Sequence, residues 1–190
     1  MKSVIFGASG QDGRILAEQI RVKGQTVLSI NRGGAGDPLS DPDWSDFLRR
    51  EKPERIYYLA AHHRSSEDTA NNPATEWIQS FQVHFEGWVR VLDLVRNHFP
   101  RCRLLYASSA HVFGFPAQCP QNEQTPFAPN CAYGCSKLAG MEVGRFYRET
   151  YRIYVSHVIL FPHESIHRGS TFLSKKLLLA ARKAVHDPQY

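Results

Sequence analysis

Lys2-Ser3-Val4-Ile5-Phe6-Gly7-Ala8-Ser9-Gly10-Gln11-Asp12-Gly13 decides the reading of this chain. A short apolar run ends at a glycine, and a turn with glycines at 7, 10 and 13 leads into Arg14-Ile15-Leu16-Ala17-Glu18-Gln19-Ile20. The run reads as a buried strand. The segment Gln11 to Lys23 carries Leu16 and Ile20 four apart and stops at Gly24, which reads as a helix with a C-terminal glycine. Thr26 to Ile30 is a second β-branched strand, so the first unit is strand–helix–strand. A glycine-rich turn at its first junction lets backbone approach a diphosphate at the helix start. An ordinary tight turn is the plain alternative, and placement at this junction favours the ligand.

The same alternation continues along the chain. Helices are expected over Pro42–Lys52, Ala74–Phe99 and Tyr133–Tyr151, with a last one marked by Leu173, Leu177, Ala180 and Ala184. Strands are expected over Arg55–Leu59, Cys102–Ala107 and Tyr154–Phe161. In the long helix Phe81, Phe85, Trp88, Leu92, Val95 and Phe99 step by fours and threes, which predicts one buried stripe. Continuously apolar strands alternating with helices predict an α/β fold, a doubly wound parallel sheet of five to six strands with helices on both faces.

Composition narrows the function. The 190 residues are 42% hydrophobic, enough for one cored domain. No apolar run approaches the ~20 residues of a membrane span, and the start does not read as a secretory signal. The four cysteines, Cys102, Cys119, Cys131 and Cys135, form no Cys-x-x-Cys pair. They read as reduced thiols of a cytoplasmic protein. The formal charge of +5 is scattered and forms no coherent basic stripe, so nucleic acid is not expected as a partner. His62-His63 and His163-x-x-x-His167 lack the further ligands a metal site needs, and no metal is expected.

The end of the second strand reads Ser29-Ile30-Asn31-Arg32-Gly33. An acid there would bind the ribose hydroxyls of NAD, whereas an arginine accommodates the 2′-phosphate of NADP. Arg32 therefore points to NADP, with NAD as the alternative. Tyr133-Gly134-Cys135-Ser136-Lys137 opens a helix and puts phenol and ammonium on one face. A lysine beside a phenol is expected to lower its pKa from ~10 towards neutrality. Such a tyrosine can take a proton from an alcohol while hydride leaves the same carbon. Ser108-Ser109 lies just past the strand Cys102–Ala107, at the carboxyl edge where such sheets bind ligands. There Ser109 would hold the substrate oxygen against Tyr133.

These stretches resemble the extended short-chain dehydrogenase/reductases, the NAD-dependent epimerase/dehydratase family with a Rossmann-type fold. Within it the chain is most similar to the GDP-mannose 4,6-dehydratases. The resemblance rests on Gly7 to Gly13, Tyr58-Leu59-Ala60-Ala61, Tyr133 to Leu138, and Ile159-Leu160-Phe161-Pro162-His163-Glu164-Ser165 with Arg168-Gly169. It implies Ser109, Tyr133 and Lys137 as the catalytic triad. It implies cofactor contacts at Gly7, Gly10, Gln11, Asp12, Gly13, Arg32, Leu59, Ala60, Ala61, Tyr133, Lys137, His163 and Arg168, with Trp77 where the family places a tyrosine. The implied reaction begins with oxidation at C4 of a hexose, as in GDP-mannose. Dehydratases then eliminate water across C5 and C6, and the hydride returns to C6. His111 stands where the dehydratase has a glutamate, so it is a catalytic candidate, and a 4-epimerase or 4-ketoreductase stays open beside the dehydratase. A dinucleotide-binding module without catalysis is the third reading.

Glu164 and Lys175 are candidate nucleotide-sugar contacts, with surface salt bridging as the alternative. Asp41 follows Arg32 by nine positions, too few for the family's third strand and helix, so Asp37 and Leu39 are candidates for the adenine side. Family members run well beyond Tyr190. Residues 1–190 are therefore expected to be the cofactor-binding domain, with the family's substrate-binding part largely absent. The resemblance also implies a homo-oligomer through a four-helix interface built by the helices 74–99 and 133–151.

Overall fold

A computed structural model describes residues 1–62 and 72–186. Strand β1 (Lys2–Phe6) leads to helix α1 (Gln11–Val22), β2 (Thr26–Ile30), α2 (Trp44–Glu51) and β3 (Arg55–Tyr58). Helix α3 (Pro73–Phe81) passes through a π turn (Gln82–Glu86) into α4 (Gly87–His98). There follow β4 (Arg103–Ser109), a 3₁₀ turn (Ala110–Phe113), α5 (Ala132–Tyr151), β5 (Tyr154–Leu160) and α6 (Leu173–His186). His63 lies outside the described residues.

The five strands pair in the order β2-β1-β3-β4-β5, all parallel. The order reverses between β1 and β3, and the carboxyl ends of those strands open a crevice there. Alternation along β1 serves both faces. Val4 and Phe6 pack with Ile56, Tyr58, Leu104, Trp88 and Leu92, whereas Ile5 packs with Ala17 and Ile20 of α1. Each fully buried large side chain contributes about 2–3 kcal/mol. Strand β2 is an edge, as the short Arg32–Asp41 connection requires.

Two expectations need correction. Ser108 and Ser109 do not follow the fourth strand but finish it, because β4 stays in register with β5 as far as Ser109 opposite Leu160. The long helix also does not carry one straight stripe. Trp88, Leu92 and Val95 are fully buried, but Phe81 and Phe85 are half-buried and line up on the surface with Trp77, ring to ring at 6.1 and 6.4 Å. The π turn inserts one residue and so rotates the inward face by about 100°. Ser80, Val83 and His84 therefore turn inward.

Candidate active site

The glycine turn is held by backbone. Gly7 has φ of 84°, its N–H donates to Ile30 O at 2.8 Å, and Leu59 N–H donates to Phe6 O at 2.9 Å. A Cβ on Gly7 would lie 2.8 Å from Ala60 N, and one on Gly13 would overlap Gly7 O and Ala8 Cα. Turn, helix start and the end of β3 thus lie against each other with no side chain between them. Ser9 N–H donates to Asn31 Oδ1 at 2.7 Å and ties the turn to the end of β2. Gly10 gives α1 no side-chain cap, which leaves the first-turn N–H groups for an anion.

A groove of ≈ 780 Å³ runs over this turn. Gly7, Gly10, Gln11, Asp12 and Gly13 form its floor, Arg32, Asp37 and Leu39 one end, and Leu59, Ala60 and Ala61 the wall under β3. His163 and Arg168, from the segment after β5, close the other side. Asp37 is spent on its own loop, accepting from Gly33 N–H, Leu39 N–H and the Ser40 hydroxyl at 2.8–3.1 Å. Arg32 is exposed at the rim. The Gln11 carboxamide oxygen is buried with no hydrogen-bond partner among the described residues. Flat backbone and an uncapped helix start together fit a dinucleotide diphosphate, and the Gln11 oxygen, an acceptor, suits a donor such as a ribose hydroxyl.

His163 fastens this groove. Its Nδ1 lies 2.7 Å from Phe161 O and its Nε2 lies 2.6 Å from Asp12 Oδ1. A carbonyl and a carboxylate both accept, so the two contacts together favour the protonated ring, which donates from both nitrogens. The bond to Phe161 O and the carboxylate of Asp12 hold its pKa above the ordinary value.

Next to this groove lies a second of ≈ 380 Å³, lined by Ser109, His111, Tyr133 and Lys137. The two share Asp12, Leu59, Ala61, His163, Arg168 and Phe172. Tyr133 reaches its place because Cys131 caps α5, its Sγ accepting from Gly134 N–H at 3.4 Å. Lys137 is buried, donates to Ala107 O at 2.8 Å and Ala60 O at 3.5 Å, and lies 5.7 Å from the Tyr133 ring.

Burial sets the titration of both groups. It pulls Lys137 down to about 7. It pushes Tyr133 up to about 12, against the lowering effect of a hydrogen bond with Ser109. The expected fall of the phenol pKa is therefore not met: desolvation outweighs an ammonium whose hydrogen bonds go to carbonyls. His111 joins this corner, its N–H donating to Ser109 Oγ at 3.3 Å and its ring standing edge-on to Tyr133 at 5.6 Å.

Three expected contacts are not brought in. Among the described residues, Glu164 pairs with Arg168 at 3.1 Å, and Lys175 donates to Ile166 O at 3.5 Å; neither lines a groove. Trp77 is 45% exposed on α3 and also lines neither. Conversely, His84 and Ser136, which the sequence reading passed over, are fully buried against Tyr133. The one sign of them was a histidine within an apolar helical stripe. Among the described residues no cluster of three or more His, Cys, Asp or Glu can hold a metal ion, and no helix is long and apolar enough to cross a membrane.

Comparison with known proteins bears on this geometry. The family model for GDP-mannose 4,6 dehydratase matches residues 35–189. The chain belongs to the GDP-mannose 4,6 dehydratase family. It is 31% identical to the GDP-mannose 4,6 dehydratase of Drosophila melanogaster, with 97% of this chain and 52% of that protein covered. It is 30% identical to the enzyme of Sinorhizobium fredii, with 94% and 57% covered. The chain thus spans about half the length of these relatives of the GDP-mannose 4,6 dehydratase family. Among solved structures, dTDP-glucose 4,6-dehydratase from Bacillus anthracis in complex with NAD superposes with a TM-score of 0.80 at 16% identity, covering 97% of this chain and 62% of that one. RMD from Pseudomonas aeruginosa complexed with NADPH gives 0.79 at 22%, covering 98% and 63%. These two likenesses concern the fold.

Proposed function

We propose that this chain carries the redox centre of a nucleotide-sugar-modifying enzyme that uses NADP to oxidise C4 of a GDP-mannose-like hexose. The observation that carries this reading is the convergence of Ser109, Tyr133 and Lys137 at the mouth of a groove that shares a wall with the glycine turn. The Ser109 hydroxyl orients the sugar 4-hydroxyl, and Tyr133, once its own phenol proton has left to solvent, takes the sugar's proton as the phenolate. Lys137, with a pKa of about 7, stabilises the phenolate when it is charged. The nicotinamide, when bound, accepts hydride from the same carbon. Arg32, exposed at the groove rim, suits a 2′-phosphate and favours NADP over NAD.

Residues 1–190 serve as the cofactor-binding domain of the family. His111 is the acid–base group of the later steps. A second reading, a 4-epimerase or 4-ketoreductase, is favoured by that same histidine: Asp12 is the one carboxylate lining the catalytic groove among the described residues. Exposed Trp77 and Ile78 on α3 and Phe146 on α5 support a homodimer through these helices, which sedimentation would register as twice the chain mass.

The deciding experiment incubates the chain with NADP⁺ and GDP-mannose and identifies the product. A 4-keto-6-deoxy sugar establishes the dehydratase, a C4 epimer establishes the epimerase, and NADPH oxidation only on a 4-keto sugar establishes the ketoreductase. Folded protein that binds neither NADPH nor GDP-mannose in calorimetry refutes both.

A further inference from the structure

His84 sits in the π turn between α3 and α4, fully buried. Its Nε2 lies 2.9 Å from the backbone nitrogen of His62. A backbone N–H can only donate, so Nε2 carries a lone pair and no proton. In the neutral ring the proton is then on Nδ1, which lies 2.7 Å from Ser136 Oγ. The Ser136 hydroxyl donates its own proton to Tyr133 O at 2.9 Å. One tautomer of the neutral ring satisfies these three bonds together.

The imidazole also stands against the catalytic ring. Its centroid is 5.0 Å from that of Tyr133, at an interplanar angle of 84°. The backbone beneath it is held as well. Tyr58 OH donates to Val83 O at 2.6 Å, and Tyr106 OH donates to His84 O at 2.9 Å. Helical carbonyls are normally taken by the helix itself, and a π turn is where that ladder is interrupted. Two core tyrosines thus fix the segment that presents His84.

We propose that His84 is a positioning residue, which ties the segment after β3 to the first turn of α5 and holds the Tyr133 phenol at its working angle. The inference rests on the reading of Tyr133 as proton acceptor. The segment after β3 walls the cofactor groove through Ala60 and Ala61 and accepts from Lys137 at Ala60 O. Through His62 N–H, His84 and Ser136 it is joined to the residue that receives the proton. Cofactor wall and phenol therefore move as one body. Plain packing would need a ring-sized side chain at 84 but no particular pattern of donors.

The first test is made on the unmodified chain. Ring ¹⁵N spectra should show His84 neutral, with Nδ1 protonated and Nε2 bare; an Nε2-protonated ring or an imidazolium overturns the proposal. The second test is kinetic. His84→Leu and Ser136→Ala should each lower kcat by up to 10²-fold, roughly what a ~1 Å misplacement costs, while the Kd for NADPH stays within about twofold. The double variant should be no slower than the slower single one, because both remove the same link. His84→Asn, whose amide nitrogen falls where Nδ1 lies but which has no atom at the Nε2 position, keeps only the Ser136 half of the link and should fall between the unmodified chain and His84→Leu. Additive effects, or cofactor affinity falling in step with turnover, would each overturn it. If the unmodified chain shows no turnover, the enzymatic reading fails separately. The link is then judged by Tyr133 ring flipping, slow in the unmodified chain and fast in His84→Leu; equal flipping refutes it.

Discussion

The two grooves share a wall but are made of different material. Along the cofactor groove the working surface is backbone: Gly7 and Gly13 have no space for a Cβ, and the helix start presents N–H groups. In the catalytic corner the working surface is side chain: Lys137 is sealed against two carbonyls, and Tyr133 stands edge-on to the rings of His84 and His111. A backbone surface keeps its charge at every pH. A side-chain surface stores its function in groups whose charge burial has shifted. The difference predicts that damage to one groove should be separable from damage to the other.

The sharpest division is expected from Tyr133→Phe. It removes one oxygen and should cut turnover by about 10³-fold while the Kd for NADPH, measured by calorimetry, changes less than twofold. Loss of cofactor binding in this variant would break the distinction. Gly13→Val attacks the other material. Its Cβ would overlap Gly7 O and Ala8 Cα, and the overpacking should cost about 3 kcal/mol, a fall in Tm of roughly 6–12 °C, with cofactor binding lost.

These two groove types were also unequally legible. The glycine turn announced itself because spacing is all that backbone needs, and Gly7, Gly10 and Gly13 stand where strand meets helix. Tyr133 and Lys137 were legible for a similar reason, being four apart on one helix. His84 was not, because it reaches Tyr133 from an element 49 positions away and does so only through the π turn. A regular helical period assigns Phe81 and Phe85 to the core and gives His84 no partner. Strand ends suffered in a milder way: Ser108 and Ser109 looked like loop because what keeps them in β4 is pairing with β5, which local sequence does not contain. Of the two candidate nucleotide-sugar contacts, Glu164 lies inside the family motif and Lys175 beyond it; Glu164 pairs with Arg168, the salt-bridging alternative, and Lys175 donates to Ile166 O.

Two smaller effects sharpen the contrast. Lys137 is charged in the unfolded chain up to the ordinary lysine value of 10.5 but only up to about 7 in the fold. Between those values the unfolded state binds more protons, so this group adds stability as pH rises. From pH 7 to 9 the unmodified chain should gain about 2 kcal/mol relative to Lys137→Met, read by urea unfolding at each pH. A constant difference would mean that burial does not hold the lysine neutral. Arg32→Ala should weaken NADPH binding about tenfold, as expected for one charge-assisted bond of ~1.5 kcal/mol, and leave NADH unchanged. Equal loss for both would remove Arg32 from cofactor choice.

The ion pair between Asp12 and His163 spans 151 positions of the chain. Its carboxylate belongs to α1, and its imidazole follows β5. They meet only after every intervening strand has taken its place, because β5 is added at the far end of β4. Contacts this distant in sequence form late in folding. The pair therefore closes the groove only once β5 is paired, and it is a marker of the assembled sheet.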